Sequence, residues 1–275
     1  GIASYEFMAA ATLILVAWFM LPIYLKKGIY TMPLFVEKRF EGNVRTGLAI
    51  FWLLIFVFVI ITSVLYLGAL TMEKTLGINI YFGVIGLAIY SATFSIFGGL
   101  RTVVWTDLIQ VVFLVLGGLF TTYFALDQYG EGQGFMTGLS KLYENIGDRF
   151  NMILDKGEVI YTTPEGETKD AWEKLPGLSV LIGGMWIANL YYWGMNQYII
   201  QRALAAKNIT EARKGVAFAA FMKLLLPLIV VLPGMVAYAM KADLDKSDQV
   251  YSWVLNEFFG TGFKGICFAA VVAAV

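Results

Sequence analysis

The chain has 275 residues, 59% of them hydrophobic and 16% aromatic against 15% charged, with a mean hydropathy of +0.72. That apolar fraction exceeds the about 45–50% usual for water-soluble domains, and twenty basic residues balance twenty acidic ones, so no basic face for a nucleic-acid partner is implied. The absence of histidine and the single cysteine, Cys267, exclude a zinc site, a disulfide framework and a Cys–His or Ser–His nucleophile.

The apolar residues fall in long blocks. In chain order these are 2–25 (one charge, Glu6), 46–72 (none), 78–100 (none), 102–126 (one, Asp107), 175–201 (none) and 215–240 (one, Lys223). A bilayer core about 30 Å thick needs roughly 20 helical residues, so each block is long enough to span. A seventh block, 265–275, is cut off at Val275 and is too short to cross. The expectation is an all-α integral membrane protein in which 1–275 forms a single transmembrane helical domain, read as an internal fragment of a larger protein. A cleaved leader does not explain the start, because 2–25 is longer than an apolar leader core.

The loops orient the spans. Lys26, Lys27, Lys38, Arg39 and Arg45 follow the first run, Arg101 sits in the third link, and Arg202, Lys207, Arg213 and Lys214 lie in the fifth. These alternate connections place ten of the twenty basic residues on one side, the cytoplasm by the positive-inside rule. The opposite side receives the 48-residue loop 127–174, which carries ten acids and five bases. That loop is expected outside, with partial helix around 135–154, a TPEGE turn at 163–167 and no independent domain.

A charge at mid-membrane costs at least ~2.5–3.5 kcal/mol, so each ionisable residue within a run needs a partner or a wet cavity. Lys223 lies roughly 12 Å into its helix, counted from Gly215. Its readings are a fully stretched snorkel to the headgroups or an inward-facing functional amine. Glu6 is either an interfacial carboxylate or a functional one. Asp107 either offsets the positive end of its helix or is functional. The fifth run carries ANLYYWGMNQYIIQR, with Asn189, Tyr191, Tyr192, Trp193, Asn196 and Gln197 close together and Gly183, Gly184 and Gly194 nearby. Amides find no partners in lipid, so they must face protein or a cavity. Aromatic faces beside amides and hydroxyls suit a sugar, whose C–H faces stack while its hydroxyls exchange hydrogen bonds. The bland alternative is an aromatic belt at headgroup depth. Glycines that interrupt such a helix near the midplane are the binding device of inverted-repeat transporters. Pro227 and Pro233 are placed to kink the sixth run, and GGLF at 117–120 offers a small-residue packing face.

The strings ASYEFMAA, TSVLYLGAL, SIFGGLRTVVWTDLIQ, ANLYYWGMNQYIIQRALAAKN and FMKLLLPLIVVLPGM resemble the sodium:solute symporters, and within them the bacterial sodium/glucose (sodium/galactose) cotransporter branch. The resemblance implies a LeuT-type five-plus-five inverted-repeat bundle, here core helices two to seven and the start of the eighth, in a multi-pass inner-membrane protein. It implies symport of a hexose such as glucose or galactose with Na+ as the coupling ion. It further implies that Glu6, Asn189 and Lys223 hydrogen-bond the sugar, with Tyr192 as the inner-gate aromatic and Trp193 beside it. Tyr5 resembles an outer-gate residue, and Asp107 matches an acid on the inner sodium-release route. Ala9 stands where the family's bacterial sugar site has a serine. No metal ligand is assignable, since the resemblance puts the sodium site on the first core helix, expected before Gly1, and on the eighth, cut before its serines. Siblings that carry inositol, sialic acid, an amino acid or an anion share these signals, as does a sugar sensor that binds without transport. An enzyme is the least supported reading, because no pair of acids, metal cluster or nucleophile–base set appears in the runs.

Overall fold

The computed structural model describes residues 2–163, 166–173, 177–242, 249–260, 262 and 265. The truncated seventh run lies outside the described residues apart from Gly265.

The chain is helical almost throughout. Helix α1 (Ile2–Leu15) passes through a π-helical turn, Val16–Met20, into α2 (Leu21–Lys26). Pro22 sits in the first turn of α2, where its missing N–H would matter least in an isolated helix. Here the helix is continuous, so the proline leaves carbonyls upstream without their ordinary donors. A short α3 (Met32–Glu37) is capped by Thr31, whose hydroxyl accepts from the Leu34 N–H. Helix α4 (Gly42–Ile55), a second π-helical turn (Phe56–Ile61) and α5 (Thr62–Leu76) form one 35-residue apolar rod. It ends at Gly77 in the left-handed conformation, φ 71°.

Helix α6 (Ile80–Tyr129) is interrupted at Gly99, whose φ of 61° and ψ of −175° a residue with a β-carbon adopts only with strain. The interruption divides the third run from the fourth in the GGLRT string. Helix α7 (Phe135–Ile146) follows, then a two-stranded antiparallel hairpin, β1 (Ile160–Thr162) with β2 (Thr168–Asp170). Its turn closes through Gly166 N–H to Thr163 O and Thr163 N–H to Glu167 O. Leu154, Val159 and Ala171 give this loop a small core of its own.

The fifth run is not one helix but three: α8 (Leu178–Ile182), α9 (Gly184–Gly194) and α10 (Gln197–Leu204). Gly183 (φ −103°, ψ −103°) makes the first break and Met195–Asn196 the second. Helix α11 (Ile209–Leu226) is capped by Asn208, then passes through a third π-helical turn, Pro227–Val231, into α12 (Leu232–Ala239). The last described helix is α13 (Val250–Phe258).

Five helical stretches are long and apolar enough to cross a membrane among the described residues: Ala3–Lys26, Gly42–Leu76, Ile80–Leu100, Thr102–Tyr129 and Ile209–Ala239. Their outward faces are apolar, with Phe97 86% and Phe58 70% exposed, an arrangement that lipid tolerates and water does not.

The chain divides into two compact units. The first comprises residues up to Ile50 together with Gly147–Pro227, the second Phe51–Ile146 with the described residues from Leu228 onward. In the first unit α1 packs against α9 and α11, and Val16, Leu21, Tyr24, Ile29, Met32, Ile200, Leu204 and Ala212 form the main buried cluster. In the second, α5 and α12 pack on α6. There Gly117 and Gly118 are buried, and a β-carbon at Gly118 would lie 2.1 Å from Ile229 Cγ2, so the helices meet without a side chain between them. Thr122 follows one turn later, and its hydroxyl reaches the Leu228 carbonyl at 2.7 Å. In a π register that carbonyl would be served by residue 233, a proline without an N–H.

Candidate solute-binding cluster in the first unit

The cluster is assembled from α1, α9 and α11. Lys223 is one turn from the end of α11, and its Nζ lies 2.8 Å from Glu6 Oε2 on α1. The same ammonium sits 4.8 Å from the centroid of the Trp193 ring on α9, within cation–π range. Side-chain exposure is 21% for Lys223 and 27% for Glu6, so the pair is mostly removed from solvent. Of the two readings of Lys223, the geometry is that of an amine turned onto an acid of another helix.

Two buried polar atoms flank that ammonium without an aligned hydrogen-bond partner. One is Glu6 Oε2, which is ion-paired with the Lys223 ammonium at 2.8 Å. The other is Trp193 Nε1, a donor with no acceptor. One wants a donor and the other an acceptor, both next to one charge.

Asn189, Tyr192 and Trp193 stand at positions i, i+3 and i+4 of α9 and therefore share a face. The Tyr192 and Trp193 rings meet edge to face, 5.0 Å between centroids and 85° apart. Trp193 packs on Ala10, Leu13 and Ala220, which anchors that face between α1 and α11, while Tyr192 stays 48% exposed. The Asn189 amide donates to the Met185 carbonyl one turn back. Ala9 is buried at the neighbouring level of α1 and offers no hydroxyl. Tyr5, next to Glu6 on α1, is 44% exposed. Asp107 belongs to α6, in the second unit.

The remaining amides of the fifth run hold the second break. Asn196 is buried and accepts from the Tyr198 N–H, starting α10. Gln197 Oε1 accepts from the Met32 N–H, tying the break to α3. Three further residues matter here that sequence reasoning did not single out. Ser4 donates to the Met152 carbonyl, fastening the start of α1 to the outer loop. Tyr24 donates to the Gly194 carbonyl at the break. Arg213 donates to the carbonyls of Ala17 and Trp18. For Tyr24 the available signal was Pro22 two residues before it.

Residues 1–275 match the model of the sodium:solute symporter family over their whole length. The chain belongs to the sodium:solute symporter family. A sodium/glucose cotransporter of Vibrio parahaemolyticus is 48% identical over 292 residues, covering 100% of this chain and 52% of that protein. A sodium/myo-inositol cotransporter 2 of Oryctolagus cuniculus is 31% identical, covering 100% of this chain and 43% of the relative. An uncharacterized symporter, YidK, of Escherichia coli (strain K12) is 32% identical, covering 100% and 47%. The chain thus spans about half the length of the curated relatives it matches. Family membership and five apolar helices of membrane-crossing length mark a multi-pass inner-membrane protein.

Proposed function

We propose that the protein carries a hexose such as glucose or galactose inward together with sodium, by alternating access within a five-plus-five inverted-repeat bundle. What supports this reading is the meeting of Glu6, Lys223 and Trp193, where Glu6 Oε2 is ion-paired but without an aligned hydrogen bond and the Trp193 indole N–H is buried without an acceptor. A sugar hydroxyl can both donate to a carboxylate such as that of Glu6 and accept from an indole N–H such as that of Trp193. The paired charges of Glu6 and Lys223 cancel, so an anionic solute would meet no uncompensated cation. The exposed Tyr192 ring supplies the face on which a sugar's C–H groups stack, and Asn189 stands on the same side of α9. Tyr192 is the inner gate in this reading, Tyr5 the outer gate, and Asp107 an acid on the route by which sodium leaves.

The test is uptake of labelled glucose or galactose into proteoliposomes holding the full-length protein. Uptake that depends on external sodium supports coupled transport, and equal uptake with choline in its place refutes it. Myo-inositol also presents a ring of hydroxyls, and the rabbit relative is named for it. A panel of unlabelled hexoses, inositols, sialic acid, amino acids and anions in competition separates the substrates. Saturable binding with no net uptake identifies a sensor instead.

A further inference from the structure

The turn Val16–Met20 and the break at Met195–Asn196 are joined by a run of carbonyls whose usual donors are gone. In the π-helical turn the Leu21 N–H serves Val16 O, five residues back. The same register assigns Ala17 O to residue 22, and the α-helical register assigns Trp18 O to residue 22 as well. That residue is Pro22, which has no N–H. Arg213, from the first turns of α11, fills both positions: Nε lies 3.2 Å from Ala17 O and Nη2 3.4 Å from Trp18 O. Its guanidinium also stands 5.9 Å from the Trp18 ring centroid.

The turn so held is the surface on which the break rests. A β-carbon at Gly194 would come within 2.5 Å of Met20 Sδ and 3.2 Å of Val16 Cγ2, so the wide turn presses against bare backbone. The Gly194 carbonyl would ordinarily receive the Tyr198 N–H, which is instead directed to Asn196 Oδ1. The Tyr24 hydroxyl, two residues after Pro22, takes that place at 3.2 Å.

We propose that Arg213 is a positioning residue: standing in for the N–H that Pro22 lacks, it holds the wide turn of the first span and so fixes the break that follows Trp193. It touches no solute. It sets where the Trp193 end of the cluster sits, and its effect on solute therefore rests on the function proposed above.

The experiment uses the full-length protein with Arg213→Ala, Arg213→Lys, Arg213→Gln, Pro22→Ala and the double variant Pro22→Ala/Arg213→Ala. Hydrogen–deuterium exchange of peptides covering 192–198 needs no solute. Arg213→Ala is expected to speed it on the order of tenfold, the loss of charge-assisted hydrogen bonds, with Lys or Gln retaining most of the protection. Pro22→Ala restores a backbone donor, so Arg213→Ala should add less than about twofold in that background. Equal effects of Arg213→Ala with and without Pro22, or faster exchange confined to 209–226, overturn the proposal. If Pro22→Ala does not insert, indistinguishable exchange for Ala, Gln and wild type overturns it equally. In uptake assays Arg213→Ala should raise the half-saturating solute concentration about tenfold and leave the maximal rate within about threefold. Exchange behaving as expected while no sugar is carried refutes the proposed function and leaves the role of Arg213 standing.

Discussion

Replacing one member of the Glu6–Lys223 pair leaves the other charge stranded among α1, α9 and α11. Removing one partner of a fully buried pair costs about 3–5 kcal/mol, and an exposed pair is worth about 0–1. With side chains 21% and 27% exposed, the pair falls between these limits, and about 2 kcal/mol is expected for either Glu6→Gln or Lys223→Met. The double variant strands no charge. It should therefore be less destabilised than the two single effects combined, with a coupling of about 1–2 kcal/mol. The measurement is unfolding of the purified full-length protein in mixed micelles, followed by tryptophan fluorescence, for all four corners of the cycle. Sugar binding should fail in both single variants and stay lost in the double, which separates stability from recognition. Strictly additive stabilities would refute the reasoning, because they would mean that the two charges do not sense each other.

Trp193→Phe keeps a ring under the Lys223 ammonium and removes only the unpartnered donor, so sugar affinity should fall about tenfold with little loss of stability, read from competition binding. An unchanged affinity removes the indole from the site. Gly118→Ala would press on the side chain of Ile229 and cost about 1–3 kcal/mol, largely recovered by Ile229→Ala. Gly138→Ala places its β-carbon 1.8 Å from the Leu126 carbonyl oxygen, and backbone yields less than a side chain. Its thermal midpoint should therefore fall further than that of Gly118→Ala, and the reverse order would show that α6 and α7 are not in close contact. In the outer loop, Lys141 donates to Glu131 at 2.6 Å, holding the carboxyl below its usual range and itself above the usual lysine range. The carboxylate's contribution is present at neutral pH and is lost as acid protonates it; the ammonium's is lost as strong base deprotonates it. Limited proteolysis of the α6–α7 turn should accelerate at both extremes, and high salt or Lys141→Met should flatten the profile.

How much of this was legible depends on which physics each residue reports. Hydropathy alone gives an all-α membrane protein, because backbone in lipid has almost no other option. The interruption at Gly99 shows in GGLRT, and the broken fifth run shows in Gly183 and Gly194 set among amides. Lys223 and Glu6 were conspicuous as charges in apolar runs. That they meet was not legible, since they are 217 positions apart and no periodicity links them. The π-helical turns at Val16–Met20 and Pro227–Val231 were equally hidden, because there a wide turn goes with a distant side chain serving carbonyls that a proline frees. Arg213 reads as an ordinary cytoplasmic cation, and only in the fold is its guanidinium turned onto the Ala17 and Trp18 carbonyls. The hairpin of the outer loop was visible as a turn and not as strands, each strand being three residues long.

The neutrality of the Glu6–Lys223 pair has an electrical consequence. Moving one unbalanced charge through 100 mV takes about 2.3 kcal/mol of work, whereas two opposite charges moving together take almost none. An empty carrier that reorients with this pair intact would carry no gating current from the cluster. Current recorded during uptake would then count the ions that travel with the solute. Glu6→Gln, by leaving Lys223 alone, should make the return of the empty carrier sensitive to membrane voltage.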